Sequence, residues 1–515
     1  MKKVFMTKTA ALIASLMIVS MLVPVLAFAA TNFNNVTYNG STVTGTVYVS
    51  DDVYTGDDVV VYVYGSDGTT VLDTVYATYS TYGNYNFSSN VSYATYSTYF
   101  PLQLKYFYSG NSVTEWVYNN SYSGGGFFFP SGNVLIDDNG KVDGTLLSDL
   151  FAKDKNPTIL SKSDVVTIPA DALSKGETLT IKLADGTSIT LPIAALKLDE
   201  QAKSLGVTLA NLIIRVELKK LTGDAAKAVT NAVYGIDAKQ LATPVDFKIV
   251  AVGNGKEKQI NNLGTYFKRT LPVSGAVDSK TVTGVVYNPE TKKLSFVPAT
   301  FATVGGNVIA TVYRNSTSIY TVIQLDDVSF KDVTKHWAKE YVQTLASKLI
   351  VEGTGANKFE PNRNITRAEF AAMIVRSLGL ETTGSTSKFS DVGSSKWYAG
   401  AVAAAAEAGI VLGDDKGKFN PNANITRKEL SAMVVRAMSY AGKEVKLTDA
   451  EVSKALAAFT DAGSLGWAKA EVAVAVNAGI VNGQTSTKVV GNANASRAEA
   501  ATMVTRFLTN VGFIN

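Results

Sequence analysis

Three arginines in the C-terminal part of the chain have the same kinds of neighbours at nearly constant spacing. Each arginine lies 30 residues after a tryptophan and 14 after a glycine, and an aspartate precedes the tryptophan by five or six residues. The three sets are Asp332, Trp337, Gly353 and Arg367; Asp391, Trp397, Gly413 and Arg427; and Asp461, Trp467, Gly483 and Arg497. A guanidinium binds a carboxylate through paired hydrogen bonds, and an indole offers a large apolar face that suits a sugar ring. With flexible glycine backbone beside them, these residues predict a site for an acidic saccharide, although a lone tryptophan is more often part of a core.

Each arginine occupies the first position of a predicted helix. The spacing of a capping box, in which two side chains satisfy exposed backbone N–H groups, is present at Thr366 and Glu369, at Thr426 and Glu429, and at Ser496 and Glu499. A cation in the first turn opposes the helix dipole, at a cost of about 0.3–1 kcal/mol where exposed. We therefore expect the arginine and the free N–H groups of the helix N-terminus to form an anion site. The alternative is an arginine paired with a structural carboxylate such as Asp332, Asp391 or Asp461.

The repeated unit predicts two helices in each copy. First helices are expected at 338–348, 399–408 and 468–478, second helices at 367–378, 427–438 and 497–508, and one additional short helix from Thr448. Polar and aromatic residues at fixed spacing in three copies indicate a repeat architecture. One unit has too little apolar surface to fold alone, so we expect the units to pack on each other and to place their sites between neighbours.

The repeats resemble the S-layer homology family of bacterial cell-wall anchors. The resemblance rests on Phe330-Lys331-Asp332-Val333, His336-Trp337-Ala338, Phe359-Glu360-Pro361-Asn362 and Ile365-Thr366-Arg367-Ala368-Glu369-Phe370, and on Phe389-Ser390-Asp391-Val392 and Phe419-Asn420-Pro421-Asn422. The third copy departs from the pattern at Ala462, Val489 and Gly491. The resemblance implies a pseudo-threefold bundle whose inter-repeat grooves bind secondary cell-wall polysaccharide bearing pyruvate ketals. It also implies that the Asp, Trp, Gly and Arg of each copy are the binding residues.

The N-terminus has the pattern of a signal peptide at residues 1–29. Three lysines precede an apolar stretch from Ala10 to Phe28, which ends in the cleavage signature Ala27-Phe28-Ala29. An uncleaved membrane anchor is the alternative, but Pro24 and the small residues at the exit favour cleavage. We expect a secreted protein at the cell wall, in or near the surface layer, with no membrane segment in its mature form.

Composition narrows the possible partners and chemistry. The chain has no cysteine, which excludes thiol catalysis and thiolate metal ligands. Its formal charge of +4 falls to +1 when the three signal-peptide lysines are removed, so there is no electrostatic reason to expect nucleic acid as a partner.

Two β-rich regions precede the repeats. Residues 30–127 are rich in Tyr and Thr and contain strand-like segments such as Leu102–Tyr108, which predict an immunoglobulin-like or transthyretin-like sandwich. The tyrosines form either a glycan- or partner-binding face or simply the outer face of a sheet. Residues 128–325, after a Gly-rich linker at Ser123–Gly126, predict one mostly-β domain or two small ones. Hairpins are expected at Asp185-Gly186, Gly253-Asn254-Gly255, Asn288–Thr291 and Arg314–Thr317, and helices near 196–204 and 223–233.

The predicted fold class is therefore multidomain, with N-terminal all-β sandwiches followed by an all-α three-repeat bundle. The repeats are expected at 326–387, 388–448 and 449–515.

The sequence has no local signature of catalysis. His336 is the only histidine, so a Ser-His-Asp triad or a His-ligated metal would have to use it. No zincin, P-loop or nucleophile-elbow pattern is present, whereas a pair of catalytic carboxylates leaves no local pattern and stays open. Structural Ca²⁺ is conceivable at Asp51-Asp52, Asp57-Asp58 and Asp137-Asp138, but none has EF-hand spacing and acidic turns are usually just solvated. We expect no cofactor.

The leading hypothesis is a non-enzymatic surface protein, held on secondary cell-wall polysaccharide by the repeats, with the β-domains displayed outward. It is either a lattice subunit that self-associates or an accessory or adhesive protein. The alternative is a wall-anchored glycoside hydrolase with its active site in residues 128–325.

Overall fold

The structure is a computed structural model, and its described residues are 32–38, 41–49, 59–65, 69–81, 84–91, 102–108, 111–117, 135–304, 306–326, 328–382 and 387–515. The predicted signal peptide, the linker at Ser123–Gly126, and the pairs Asp51-Asp52 and Asp57-Asp58 lie outside these residues. Across the described ranges, no helix is long and apolar enough to cross a membrane. The chain divides into two compact units, Met1–Ser123 and Gly124–Asn515.

The described residues of the first unit form two four-stranded antiparallel sheets. Its strands are β1 Asn32–Tyr38, β2 Val43–Tyr48, β3 Val60–Tyr64, β4 Val71–Tyr76, β5 Thr78–Thr81, β6 Asn84–Ser89, β7 Leu102–Tyr108 and β8 Asn111–Val117. The sheet orders are β1-β2-β6-β5 and β4-β3-β7-β8. Alternate residues such as Val43 and Val47 on β2, and Val61 and Val63 on β3, are buried in one apolar core. This pattern agrees with the predicted sandwich.

Tyrosines of this unit lie both on the surface and in the core. Tyr76 and Tyr79 are exposed, whereas Tyr38 is buried and its hydroxyl donates to the carbonyl of Val91 at 3.0 Å. The choice between a binding face and an ordinary outer sheet face stays open.

The β-rich part of the second unit consists of two larger sheets. The eight-stranded sheet has the order β10-β13-β15-β22-β18-β19, with β14 beside β22 and β16 beside β15, and the six-stranded sheet has the order β20-β21-β17-β12-β11-β9. The strands are β9 Thr158–Ser161, β10 Val165–Pro169, β11 Thr178–Leu183, β12 Ser188–Pro192, β13 Ile213–Lys220, β14 Lys239–Gln240, β15 Val245–Gly253, β16 Lys256–Gln259, β17 Asn262–Val273, β18 Val282–Asn288, β19 Lys293–Val297, β20 Ala299–Val304, β21 Asn307–Ser316 and β22 Ile319–Gln324. Residues of both sheets form one apolar core.

Four helices accompany these sheets. They are α1 Gly144–Lys153, α2 Ala170–Leu173, α3 Leu198–Leu205 and α4 Gly223–Tyr234. The predictions near 196–204 and 223–233 are confirmed by α3 and α4. The first two helices were not predicted, although α1 carries a readable signal, because the carboxylate of Asp143 caps the N–H groups of Thr145 and Leu146.

Three of the four predicted hairpins are confirmed, and one is wrong. Strands β11 and β12, β15 and β16, and β18 and β19 pair as antiparallel neighbours. At Arg314–Thr317, however, β21 lies in the six-stranded sheet and β22 in the eight-stranded sheet. The chain crosses between sheets there, with the carbonyl of Ser316 accepting hydrogen bonds from buried Arg269 and Tyr320. Turn residues alone do not distinguish such a crossing from a hairpin.

The remainder of the second unit is helical. Its helices are α5 Lys339–Ser347, α6 Arg367–Ser377, α7 Ala399–Glu407, α8 Arg427–Tyr440, α9 Asp449–Ala455, α10 Lys469–Asn477 and α11 Arg497–Asn510. They match the two helices predicted for each copy and the additional helix after Thr448. One continuous apolar core contains residues of all three copies, among them Phe370, Leu430 and Phe507, as expected for units that cannot fold alone.

The end of the chain joins this helical part to the β-sheets. The N–H of Ala299 donates to the carbonyl of Phe513 at 2.9 Å, and the side-chain amide of Asn515 exchanges two hydrogen bonds with the backbone of Phe301 at 2.7 and 3.0 Å. The hydroxyl of Tyr266 donates to the carbonyl of Leu378 at 2.6 Å. These contacts cross the predicted boundary between the β-rich region and the repeats.

A buried lysine in the first copy makes a second connection. The ammonium of Lys348 donates to the carbonyls of Ser279 and Val282 at 2.7 and 2.8 Å, and burial lowers its pKa to about 8. The next residue, Leu349, has φ of 60° and packs against apolar residues of the β-region. The other copies have Ala-Gly at these two positions, so the first copy differs from them at its contact with the sheets.

Candidate functional site

The second helices of the three copies meet at their N-termini. All three predicted capping boxes are present, from Thr366, Thr426 and Ser496 to the glutamate three residues later. Just before each helix, the backbone closes a ring: Ile365 N–H donates to the carbonyl of Ala495, Ala495 N–H to that of Ile425, and Ile425 N–H to that of Ile365, at 3.0, 2.9 and 3.1 Å. This ring defines a pseudo-threefold arrangement of the copies.

The N–H groups of the first helical turn are not free. The N–H of Arg367 donates to the carbonyl of Ala423 at 2.9 Å, and that of Ala368 to the carbonyl of Pro421 at 3.0 Å. The two other copies repeat both bonds: Arg427 to Ala493, Lys428 to Gly491, Arg497 to Arg363 and Ala498 to Pro361. The expectation of free donors that complete an anion site was therefore wrong, because the neighbouring copy already satisfies them.

Each arginine has a carboxylate partner in the next copy. Arg367 pairs with Glu429 at 3.1 Å, Arg427 pairs with Glu499, and Arg497 lies 3.5 Å from Glu369. The Nε of each arginine also donates to a backbone carbonyl of that copy, namely that of Phe419, Val489 or Phe359. A structural ion pair was the alternative expectation, with the aspartates of the repeats as partners. The ion pairs are present, but the partners are the capping-box glutamates, which face the arginines across the ring.

The three aspartates bind backbone within their own copies. Both oxygens of Asp332 accept N–H groups, from Phe359 at 2.9 Å and Glu360 at 2.8 Å. Asp391 and Asp461 do the same with Phe419 and Asn420, and with Val489 and Val490. Burial opposes ionisation of Asp332 and Asp461, but these hydrogen bonds outweigh it and hold the pKa of each carboxyl below its ordinary value. The aspartates therefore fix the loops that carry the grooves.

At the three glycine positions there is no room for a side chain. A Cβ on Gly353 would lie 2.8 Å from the ring of Phe330, and one on Gly413 would lie 2.6 Å from the ring of Phe389. A Cβ on Gly483 would lie 2.2 Å from the carbonyl of Thr485. None of the three has a positive φ, so close packing rather than the expected flexibility explains the glycine.

The three tryptophans are not core residues. Trp337, Trp397 and Trp467 are 61, 65 and 60% exposed, although large aromatic side chains usually bury most of their surface. Each lies two residues before the first helix of its copy. A recurrent exposed indole is available to a ligand.

One groove brings together predicted residues from all three copies. Arg367 of the first, Gly413 of the second and Trp467 of the third line a cavity of about 430 Å³, a size typical of small-ligand sites. The ring symmetry predicts two corresponding grooves, one at Arg427, Gly483 and Trp337 and one at Arg497, Gly353 and Trp397. Direct contacts support the relation, since Arg427 and Arg497 donate to the carbonyls of Asn482 and Glu352, the residues before those glycines. The aspartates are not among the lining residues.

Sequence reasoning missed a second arginine of the groove. Arg436 lines the same cavity as Arg367 and pairs with Glu471 of the third copy at 3.6 Å. Its equivalents are Arg376 and Arg506. The signal was readable, because in every copy an arginine stands nine residues after the first helical arginine.

Within the described residues, no three His, Cys, Asp or Glu side chains lie together in a way that could hold a metal. Of the three acidic pairs considered for Ca²⁺, Asp137-Asp138 is the one within the described residues. Asp137 accepts the N–H groups of Asn139 and Lys141 at 2.9 and 2.8 Å, which explains it as a turn residue.

Comparison with known proteins identifies the repeated unit. The profile of the S-layer homology domain matches residues 329–371, 388–431 and 458–501. The chain is similar to the amylopullulanase of Thermoanaerobacterium thermosulfurigenes, with 39% identity over 251 residues, covering 48% of this chain and 13% of the relative.

Further relatives belong to different functional classes. Exoglucanase XynX of Acetivibrio thermocellus is 39% identical over 178 residues, covering 34% of this chain and 16% of the relative. The surface-layer 125 kDa protein of Lysinibacillus sphaericus is 32% identical over 179 residues, covering 34% and 14%. This chain therefore spans less than a sixth of the length of each of these three relatives.

Proposed function

Residues 329–501 of this chain are three S-layer homology repeats, and from this premise we propose that the protein is anchored at the bacterial cell surface by secondary cell-wall polysaccharide. The observation that carries the proposal is the groove that combines Arg367, Gly413 and Trp467. It presents a cationic fork, a close-packed wall and an exposed aromatic face around one cavity.

The proposed recognition is electrostatic at one end of a sugar and apolar at the other. A ketal-linked pyruvate adds one carboxylate to a sugar ring, and Arg367 and Arg436 supply the cations that would receive it. Trp467 would stack on the C–H face of the same or the next ring. A neutral glycan would use only the second interaction, so the charged polymer would bind more tightly. Binding by these groups requires no cofactor.

The same proposal assigns an outward position to the β-rich regions. The repeats would hold the chain on the wall, while the N-terminal sandwich and the two larger sheets face the medium, as in a surface-layer subunit or an accessory protein. Similarity to the surface-layer 125 kDa protein over the repeats supports this reading. Self-association into a lattice belongs to the same proposal.

The test is retention of the full chain on wall sacculi. We expect co-sedimentation with native sacculi and loss of co-sedimentation when the secondary polymer has been extracted. Purified polymer added in solution should compete. Equal retention by polymer-free peptidoglycan would contradict the proposal.

A wall-anchored glycoside hydrolase with its active site in residues 128–325 is the second candidate. It is favoured by the match to the amylopullulanase, whose 251 residues exceed the 187 residues from 329 to 515 and therefore include part of the β-region. Release of reducing ends from pullulan, β-glucan or xylan by the full chain would favour this candidate. Absence of release from all three, together with wall binding, would favour display.

A further inference from the structure

The three grooves are related by the ring symmetry, but their side chains differ at the positions that a ligand would meet. Which groove takes the sugar carboxylate is a question that rests on the proposed function. Groove 1 denotes Arg367, Gly413 and Trp467, groove 2 denotes Arg427, Gly483 and Trp337, and groove 3 denotes Arg497, Gly353 and Trp397.

Groove 3 is occupied by a side chain of the protein itself. Arg363 stands where grooves 1 and 2 have Ala423 and Ala493. Its guanidinium donates to Glu369 at 2.6 and 3.3 Å and to Glu360 at 3.0 Å, so it lies over the glutamate that faces Arg497.

Groove 3 is also unfavourable for an anion at its edge. The residue before Gly353 is Glu352, whose side chain is 75% exposed, and its carbonyl accepts a hydrogen bond from Nη2 of Arg497 at 3.0 Å. Arg497 is only 8% exposed. An incoming carboxylate would meet this like charge beside an arginine that is nearly buried. Arg497 donates through Nε and Nη2 to backbone carbonyls, and its Nη1 lies 3.5 Å from Glu369.

In groove 2 the arginine is completely engaged. Arg427 donates through Nε to the carbonyl of Val489, through Nη1 to Glu499 and through Nη2 to the carbonyl of Asn482. Its side chain is 4% exposed, the lowest of the three. A ligand could bind it only by breaking bonds that join two copies.

Groove 1 has the most exposed of the three arginines. Arg367 donates through Nε and Nη1, but its Nη2 has no hydrogen-bond partner in the described part of the chain, and its side chain is 15% exposed. The residue before Gly413 is uncharged Leu412, and Ala423 leaves open the space that Arg363 fills in groove 3.

Two acidic side chains line groove 1, and both are already engaged. Glu429 pairs with Arg367 at 3.1 Å and accepts the N–H of Thr426 at 2.8 Å. Asp414 accepts the backbone N–H groups of Lys416 and Lys418 at 3.0 and 2.9 Å and the amide of Asn420 at 3.0 Å. Arg367 and Arg436 face the same cavity. The groove therefore keeps unused donor capacity beside an open volume.

We infer that groove 1 is the site for the carboxylated sugar, and that the arginines of grooves 2 and 3 serve to join the copies. One chain then binds one charged sugar residue through its repeats. The pseudo-threefold bundle has three equivalent grooves, and in two of them the protein's own side chains and backbone take the place of a ligand.

The experiment uses three exposed tryptophans, because each belongs to a different groove and none supports the core. The full chain and its Trp467→Ala, Trp337→Ala and Trp397→Ala variants are titrated calorimetrically with a pyruvate-ketal hexoside, and with the methyl ester of that ketal as the uncharged control. We expect one site per chain, weakening of at least tenfold for Trp467→Ala, and less than threefold change for the other two. The ester should bind at least tenfold more weakly than the acid.

A fourth variant separates filling of the groove from charge. Ala423→Arg copies Arg363 into groove 1 at an exposed position, where it should pair with Glu429 and fill the cavity. We expect at least tenfold weaker binding, although the added cation alone would strengthen it. Tighter binding by this variant, two or three equal sites, or equal losses in the three tryptophan variants would overturn the inference while leaving wall anchoring intact. No binding of the acid by the wild-type chain, with no retention on native sacculi, would refute the proposed function itself.

Discussion

Replacing Arg427 by alanine should destabilise the three-repeat bundle strongly. The substitution removes the ion pair with Glu499 and leaves the carbonyls of Val489 and Asn482 without the donors that reach them at 3.0 Å each. Removal of one partner of a buried ion pair costs about 3–5 kcal/mol. A typical domain has a free energy of unfolding of only about 5–15 kcal/mol, so the loss would be a large part of the total.

The assay is urea unfolding of the full chain followed by tryptophan fluorescence, since three of the four tryptophans lie in the repeats. Thr426→Ala is the matched control at the adjacent residue, because it removes only the cap and should cost about 0.5–2 kcal/mol. Arg427→Lys keeps the charge without the planar fork and should fall between the two. A free energy of unfolding for Arg427→Ala within about 0.5 kcal/mol of wild type would refute the assignment of this arginine as a joint between copies.

Three further predictions concern stability. Thr366→Ala and Ser496→Ala should each lower the free energy of unfolding by about 0.5–2 kcal/mol through loss of a capping box, and unchanged urea midpoints would contradict this. The depressed pKa values of Asp332 and Asp461 stabilise the fold above their ordinary value of 3.8, so the melting temperature should fall as the pH drops below it, and less steeply in Asp332→Asn. Burial lowers the pKa of Lys348 to about 8 in the folded state, from an ordinary value of 10.5. Because burial of its charge is unfavourable, the free energy of unfolding of wild type relative to Lys348→Met should rise by ~3 kcal/mol between these two pH values. A difference between the two proteins that does not change with pH would contradict burial of Lys348 as a cation.

Local signals in the sequence predicted the local structure of the repeats well. The capping boxes predicted the starts of α6, α8 and α11. The spacing repeated in the three copies singled out the tryptophans that prove to be exposed. What these signals could not supply was the partner of each arginine. Glu429 lies 62 residues after Arg367, and only closure of the ring brings them together. From the helix alone, removal of a cation at its N-terminus is expected to change the free energy of unfolding little. In the assembled bundle the same arginine joins two copies, so its removal is expected to cost much more.

Differences between the copies also acquire meaning only in the fold. Arg363 reads in sequence as one more surface cation, yet its guanidinium pairs with Glu369, the glutamate that faces Arg497, where the equivalent residues of the other copies are Ala423 and Ala493. Leu349 at a positive φ is unexpected in sequence, because glycine stands there in the other copies. Its packing against the β-sheets explains the departure. The crossing at Ser316 was missed for the same reason, since sheet membership depends on pairings between distant strands.

The most direct measurement is isothermal titration of the full chain with purified secondary cell-wall polysaccharide, before and after selective removal of its pyruvate ketals. The two polymers share one backbone, so they differ only in the carboxylates that Arg367 and Arg436 would receive. We predict binding of the intact polymer and at least tenfold weaker binding of the depyruvylated polymer, with the difference reduced at high salt. Equal affinity for both polymers would contradict recognition of a sugar carboxylate in the groove of Arg367 and Arg436.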